Sequence, residues 1–174
     1  MYDKEKGFRS GQVIGVLGTS EWRIVMKLVI QRVNKASVSI DGQVISSIGK
    51  GLLVLWGSTH DDTKETAENM ARKLVNMRIF SDNEDKMNLG IKDVGGEFLV
   101  VSQFTLYADC KKGNRPNFMK AMKPKESNEL YEYFLELLQK EIPIVKKGEF
   151  GADMQVELIN DGPVTIVLDS QEVM

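Results

Sequence analysis

The stretch "ASVSIDGQVISSIG", residues 36–49, constrains the fold more than any other part of the chain. Apolar and polar residues alternate on both sides of Asp41-Gly42. That dipeptide suits a two-residue hairpin turn, because both central residues can take positive φ. Its neighbours extend the same architecture. "KLVIQRV" ahead of it reads as a strand, and "GLLVLWGS" after it is a continuous apolar run, as in a strand buried on both faces.

The elements that follow alternate in type. Asp62 and Glu65, three residues apart, can form a capping box, with Ala67, Met70, Ala71, Leu74 and Val75 at helical spacing behind it. This predicts a helix to about Met77. "SDNEDKMNLGIKDVGG" reads as loop and turn, and "EFLVVSQFTLY" as a strand. A second helix is predicted over 124–141, with Pro124 early and Leu130, Tyr131, Phe134, Leu137 and Leu138 on one face. "ADMQVELIN" alternates from Met154 to Leu158, and "VTIVL" supplies the last strand. No internal repeat or low-complexity segment interrupts this order. It predicts an α+β fold: a largely antiparallel, barrel-like sheet covered by two helices.

Residues 1–25 read differently. Gly11, Gly15 and Gly18 break a short apolar stretch that follows mixed charges, unlike a secretory signal, and they lack the dinucleotide-binding spacing. The expected division is a leader or native extension over 1–25 and a single domain over 26–174.

Composition excludes much conventional chemistry. A net charge of −2 gives no global attraction to nucleic acid, so such contact needs a local basic patch, and no DNA partner is expected. The single cysteine, Cys110, rules out an internal disulfide and fits a reducing, cytoplasmic compartment. The single histidine, His60, lies in the polar "GSTHDD" and removes most metal sites and Ser/His or Cys/His arrangements. No metal or cofactor is expected. No apolar run approaches a membrane span, so no membrane partner is expected either.

Three stretches could carry function. In "VSQFTLYAD", a strand end offers Ser102, Gln103 and Thr105 around Phe104, which could line a pocket or simply run into solvent. A threonine nucleophile needs an activating base, and the sole histidine, His60, lies in a polar turn before the first predicted helix, so Thr105 is not expected to be one. "CKKGNRPNFMKAMKPK" holds Lys111, Lys112, Arg115, Lys120, Lys123 and Lys125 with no acidic residue. It reads either as a solvated loop or as a footprint for a phosphate backbone, with Phe118 able to stack on an unpaired base. In "LINDGPVTIVLDS", Asn160-Asp161-Gly162-Pro163 interrupts a strand. A turn is the plain reading; a cis bond before Pro163, found in only about 5% of X-Pro bonds, would instead expose two flanking carbonyls. Paired acceptors of that kind could bind an ammonium group, which only donates.

Together "SQFTL" (102–106), "NDGPVT" (160–165) and "QRV" (31–33) resemble the D-aminoacyl-tRNA deacylases, and the likeness runs from Met26 to about Leu168 through "GLLVL", "RIFSD", "KMNL" and "ADMQV". A related group with relaxed chirality carries a Pro-Gln-Ala-Thr-type motif; the serine and phenylalanine here favour the standard class. The resemblance implies a homodimeric hydrolase that splits the ester between a D-amino acid, or glycine, and the terminal adenosine of tRNA. It implies that Gly162 and Pro163, joined by a cis bond, enter the pocket of the other subunit and hold the α-amino group while their backbone excludes an L side chain. Arg32 would brace that loop. Ser102, Gln103, Phe104 and Thr105 would form the opposing catalytic wall, with backbone N–H groups of Phe104 and Thr105 contacting the substrate. Lys111, Lys112, Arg115, Phe118 and Lys120 would contact tRNA, and the neighbouring ribose 2′-OH would help activate water. A non-catalytic RNA-binding module is the alternative reading.

Overall fold

The computed structural model describes residues 25–173; the expected leader, save Val25, lies outside the described residues. The hairpin forms as its turn residues dictate. Strands β1 (Lys27–Ile40) and β2 (Gln43–Ile48) pair antiparallel, with Asp41 and Gly42 at φ of 49° and 78° between them. β3 (Gly51–Gly57) then pairs antiparallel with the first half of β1.

Helix α1 (Lys64–Asn76) follows, but its cap differs from expectation. Thr63 is the N-cap and exchanges hydrogen bonds with Thr66, a capping box one residue downstream of the predicted one. Asp62 is unavailable for capping because it accepts from the N–H groups of Thr59 and Met26 instead. The polar stretch beyond contains a small hairpin of β4 (Phe80–Ser81) and β5 (Met87–Leu89). β6 (Glu97–Ser102) lies parallel to β3. α2 (Pro124–Gln139) leads to β7 (Val145–Lys147), parallel to β6, and β8 (Gln155–Asp169) returns antiparallel along β1.

The sheet is therefore mixed. Antiparallel pairs gather around β1, whereas the two parallel pairs require crossovers, which α1 and α2 provide. Ser46 Oγ on β2 donates to Lys147 O on β7 at 2.6 Å, so the curled sheet nearly closes into a barrel. β3 is buried on both faces, as its apolar run predicts. Leu52, Val54 and Trp56 pack with Tyr131, Phe134 and Leu74 beneath the helices. Leu53 joins Val33, Val38, Leu99 and Val101 inside the curl. β1 serves both cores because its ladder with β8 shifts register around Val33.

The β3–β6 junction is unusually tight. A Cβ on Gly51 would lie 1.9 Å from Glu97 O, whereas one on Gly49 would meet nothing within 4 Å. Gly51→Ala should cost about 3 kcal/mol, the upper end of overpacking penalties, while Gly49→Ala stays within about 0.5 kcal/mol of the parent. Urea denaturation of the two variants checks this; equal midpoints would contradict it.

Candidate active site

β6 stops at Ser102, six residues into the predicted strand over 97–107. Gln103 N–H donates to Trp56 O at 2.7 Å, and the chain then winds into a 3-10 turn over Phe104–Tyr107. The sequence predicts a strand through to Tyr107; Tyr107, the buried residue of this stretch, instead anchors the turn. The Tyr107 hydroxyl lies 2.6 Å from Val25 O and 3.0 Å from Gly57 O, and burial pushes its pKa up. Gly57 permits the crossing, because a Cβ there would stand 3.0 Å from the Tyr107 ring and 3.1 Å from Gln103 O. The turn leaves Phe104 59% exposed and Thr105 on the surface, where its hydroxyl accepts from Gln103 Nε2. As at any helical start, the first N–H groups of the turn lack partners within it.

Beside this turn lies a cavity of about 720 Å³, walled by Trp56, Ser102, Gln103, Phe104, Phe118 and Phe150 among others. The basic segment forms its rim. Thr59 Oγ1 donates to Lys120 O at 2.6 Å, Met122 N–H donates to Ser58 O at 2.9 Å, and His60 Nε2 lies 2.9 Å from Met119 O. His60 is thus exposed as expected, yet it also ties down the rim and is not paired with Thr105. Asp62 fixes the same corner: its carboxylate accepts from Thr59 N–H at 2.7 Å and Met26 N–H at 2.9 Å. Burial raises its pKa to about 6 against those hydrogen bonds.

The six cations are not all free. Lys120 pairs with Asp109 at 3.1 Å, a carboxylate just outside the stretch that sequence reading treated as purely basic. The Lys111 N–H and then Lys120 hold the Asp109 pKa below its ordinary value. Lys111, Lys112 and Arg115 remain exposed. Phe118 is half-buried and packs edge-on against Phe104, with ring centres 5.1 Å apart.

The Gly162-Pro163 bond is cis, and both residues are exposed. The pair lies within the continuous strand β8 rather than in a gap between two strands. Arg32, only 7% exposed, holds it from behind. Its Nε donates to Asp161 O at 3.1 Å and pairs with the Asp161 carboxylate at 3.1 Å, while Nη1 donates to Ile79 O at 2.8 Å. Asn160 closes the other side, accepting from Val164 N–H at 2.7 Å and donating to Thr165 Oγ1 at 3.0 Å. Arg32, Gly162 and Pro163 are not among the residues that line the cavity. One chain therefore brings Ser102, Gln103, Phe104 and Phe118 together but holds the Gly-Pro pair elsewhere.

Residues 29–169 match the family model for D-Tyr-tRNA(Tyr) deacylase. The chain belongs to this family. A D-aminoacyl-tRNA deacylase of Clostridium botulinum (strain Eklund 17B / Type B) is 54% identical over 147 residues, covering 84% of this chain and 99% of that one. Among solved structures, the c-Myc DNA Unwinding Element Binding Protein is 46% identical with a TM-score of 0.77, over 82% of this chain and 97% of its own. A probable eukaryotic D-amino acid tRNA deacylase shares the fold at 16% identity, with a TM-score of 0.71 over 84% and 100% of the two chains. The deacylase family makes this chain a hydrolase acting on aminoacyl-tRNA.

Several residues of the candidate site are not marked by the sequence. Trp56, Ser58, Ser127 and Phe150 all line the cavity, but no local pattern in the sequence singles any of them out. Asn160 reads as a turn former, and only the structure shows it bracketing the pair. Gly162 leaves no easy room for a side chain. It has φ of 133°, and a Cβ would stand 2.8 Å from Val164 Cγ2 and 3.2 Å from Arg32 Nη2. Gly162→Ala should lower kcat/KM on D-tyrosyl-tRNA by about tenfold or more, the rate equivalent of roughly 1.4 kcal/mol. Steady-state hydrolysis assays check this, and wild-type kinetics would mean that the pair is only a turn.

Proposed function

We propose that the chain proofreads chirality: it hydrolyses D-aminoacyl-tRNA, and glycyl-tRNA mischarged on tRNA(Ala), while rejecting L-aminoacyl esters. The observation that carries this reading is the exposed Gly162–Pro163 pair, braced by Arg32 and Asn160 yet outside the lining of its own chain's cavity. In a homodimer, each chain supplies that pair to the cavity of the other. The Gly162 and Pro163 carbonyls accept hydrogen bonds from the substrate's α-ammonium. With the ammonium and ester fixed, an L side chain meets backbone and a D side chain points outward. Glycine passes because it carries nothing to exclude.

The opposing wall is Ser102, Gln103 and Phe104, with Thr105 on the surface beside it. The first N–H groups of the 3-10 turn, those of Phe104 and Thr105, which have no acceptor within the turn, stabilise the negative charge that develops on the ester's carbonyl oxygen. Thr105 is not the nucleophile, since its hydroxyl is engaged by Gln103 and His60 is occupied by Met119 O. The vicinal ribose 2′-OH assists the attacking water, and the protein contributes positioning and fixed dipoles. Lys111, Lys112 and Arg115 contact the tRNA phosphates, with Lys120 shared between Asp109 and the nucleic acid. Phe118 acts through its packing on Phe104 at the cavity mouth. The reaction takes place in the cytoplasm, where aminoacylated tRNA is found; no helix among the described residues is long and apolar enough to cross a membrane.

The test is release of free amino acid from D-tyrosyl-, L-tyrosyl- and glycyl-tRNA. D-tyrosine and glycine should be released and the L ester left at its spontaneous rate. Equal consumption of both enantiomers would overturn the chiral reading, and retention of tRNA without any turnover would leave an RNA-binding module.

A further inference from the structure

Lys111, Lys112 and Arg115 stand exposed on a loop whose stem is an isolated bridge. Asp109 and Asn117 exchange backbone hydrogen bonds there, at 2.9 and 3.1 Å. A surface loop presents its charges in a fixed place only if a rigid scaffold holds its base. A line of polar contacts reaches this stem from the main sheet, and Asp62 is its root.

Asp62 Oδ1 accepts from the N–H of Met26, just ahead of β1, at 2.9 Å, and Oδ2 accepts from Thr59 N–H at 2.7 Å. Thr59 Oγ1 donates to Lys120 O at 2.6 Å. Lys120 Nζ then meets Asp109 Oδ2 at 3.1 Å, and Asp109 Oδ1 accepts from Lys111 N–H at 3.0 Å. The middle of the line is enclosed: Thr59 is only 2% exposed and also bridges Ala121.

Only a carboxylate suits the root. Its two oxygens receive N–H groups from two separate segments, whereas an asparagine would offer one acceptor and turn its own donor on the other N–H. Among the described residues this half-buried carboxylate forms no ion pair. Lys64 lies over the Tyr133 ring at 4.8 Å, and Glu126 and Glu129, which share a groove with Asp62, carry the same sign. Withdrawing such a charge from water is unfavourable unless its hydrogen bonds are filled. Helix capping does not explain it, since Thr63 caps α1.

We propose that Asp62 is a positioning residue for tRNA binding: through Thr59 it fixes Lys120 and Asp109, and with them the loop that presents Lys111, Lys112 and Arg115 to the phosphates. This rests on the tRNA contacts of the deacylase reading above. Asp62 itself touches no substrate; it acts along a contiguous hydrogen-bonded line.

The test is binding of uncharged tRNA(Tyr), followed by fluorescence anisotropy over a series of potassium chloride concentrations. Each phosphate contact contributes roughly 0.7–0.9 to the slope of log K against log salt. Asp62→Ala should reduce that slope by about 2. Alanine at Lys111, Lys112 and Arg115 together should reduce it by a similar amount in the wild type but by little more in Asp62→Ala. On D-tyrosyl-tRNA, KM should rise about tenfold or more in Asp62→Ala while kcat changes by less than about twofold. Should Asp62→Ala not fold, Thr59→Val removes only the hydroxyl link and should give the same reduced slope, and Thr59→Ser should restore it. An unchanged slope in either folded variant, or loop substitutions whose effect adds in full to Asp62→Ala, would overturn the positioning role; hydrolysis of D-tyrosyl-tRNA by the wild type then leaves the deacylase reading in place. A wild-type protein that neither binds the tRNA nor hydrolyses the ester would overturn both.

Discussion

A buried guanidinium holds the exposed Gly-Pro pair in place. Arg32 sits where β1 shifts register against β8, between the two cores of the curled sheet. Burying a charge of this kind costs several kcal/mol unless it is paired and its donors satisfied. Asp161 supplies the countercharge and a carbonyl, and Ile79 supplies a second carbonyl from the segment after α1. The bend of β1, the loop following α1 and the backbone at 160–163 therefore cannot relax separately. Freeing the loop would strand the guanidinium, so the conformation of an exposed segment is fixed by the same interactions that stabilise the interior.

The cavity is built from different material. Parallel pairing of β3 and β6 brings Trp56 alongside Ser102, and the tight approach at Gly57 lets the 3-10 turn fold back over the strand ends. The segment following β3 then fastens the basic rim through three hydrogen bonds from Ser58, Thr59 and His60. Aromatic walls beside a segment that carries exposed cations suit a nucleotide end whose base is enclosed and whose phosphates remain in solvent. The side chains supply few titratable groups at this place. That agrees with a reaction on an already labile ester, where orientation and fixed dipoles suffice.

Much of this was legible in the residues. Asp41-Gly42, the apolar run of β3 and the two helical stripes each state a local preference that packing agrees with, so their elements form as read. Legibility failed where tertiary contacts override a local rule. Asp62 looked like a helix cap but is drawn to the N–H groups of Met26 and Thr59, leaving Thr63 to cap. The strand ends at Ser102 because its partner β3 ends at Gly57; Gln103 makes the last ladder bond, to Trp56 47 positions away, and the chain then turns, which no local pattern encodes. Lys120 seemed part of an uninterrupted cationic run until the loop's fold brought Asp109 to it. In the site, the motif residues were visible through their types and order. Trp56 and Phe150 were hidden because apolar side chains carry the same signature in a core as in a pocket wall.

The central claim is that each chain's Gly162–Pro163 pair completes another chain's cavity. Mixed dimers test it most directly. One subunit would carry Gly162→Ala, and the other Ser102→Trp to fill its cavity; each variant alone should be nearly inactive on D-tyrosyl-tRNA. If the site is shared, the purified heterodimer regains roughly half of the wild-type activity, because one of its two sites contains both intact halves. A heterodimer no more active than its parents would place the whole site within a single chain and contradict the account.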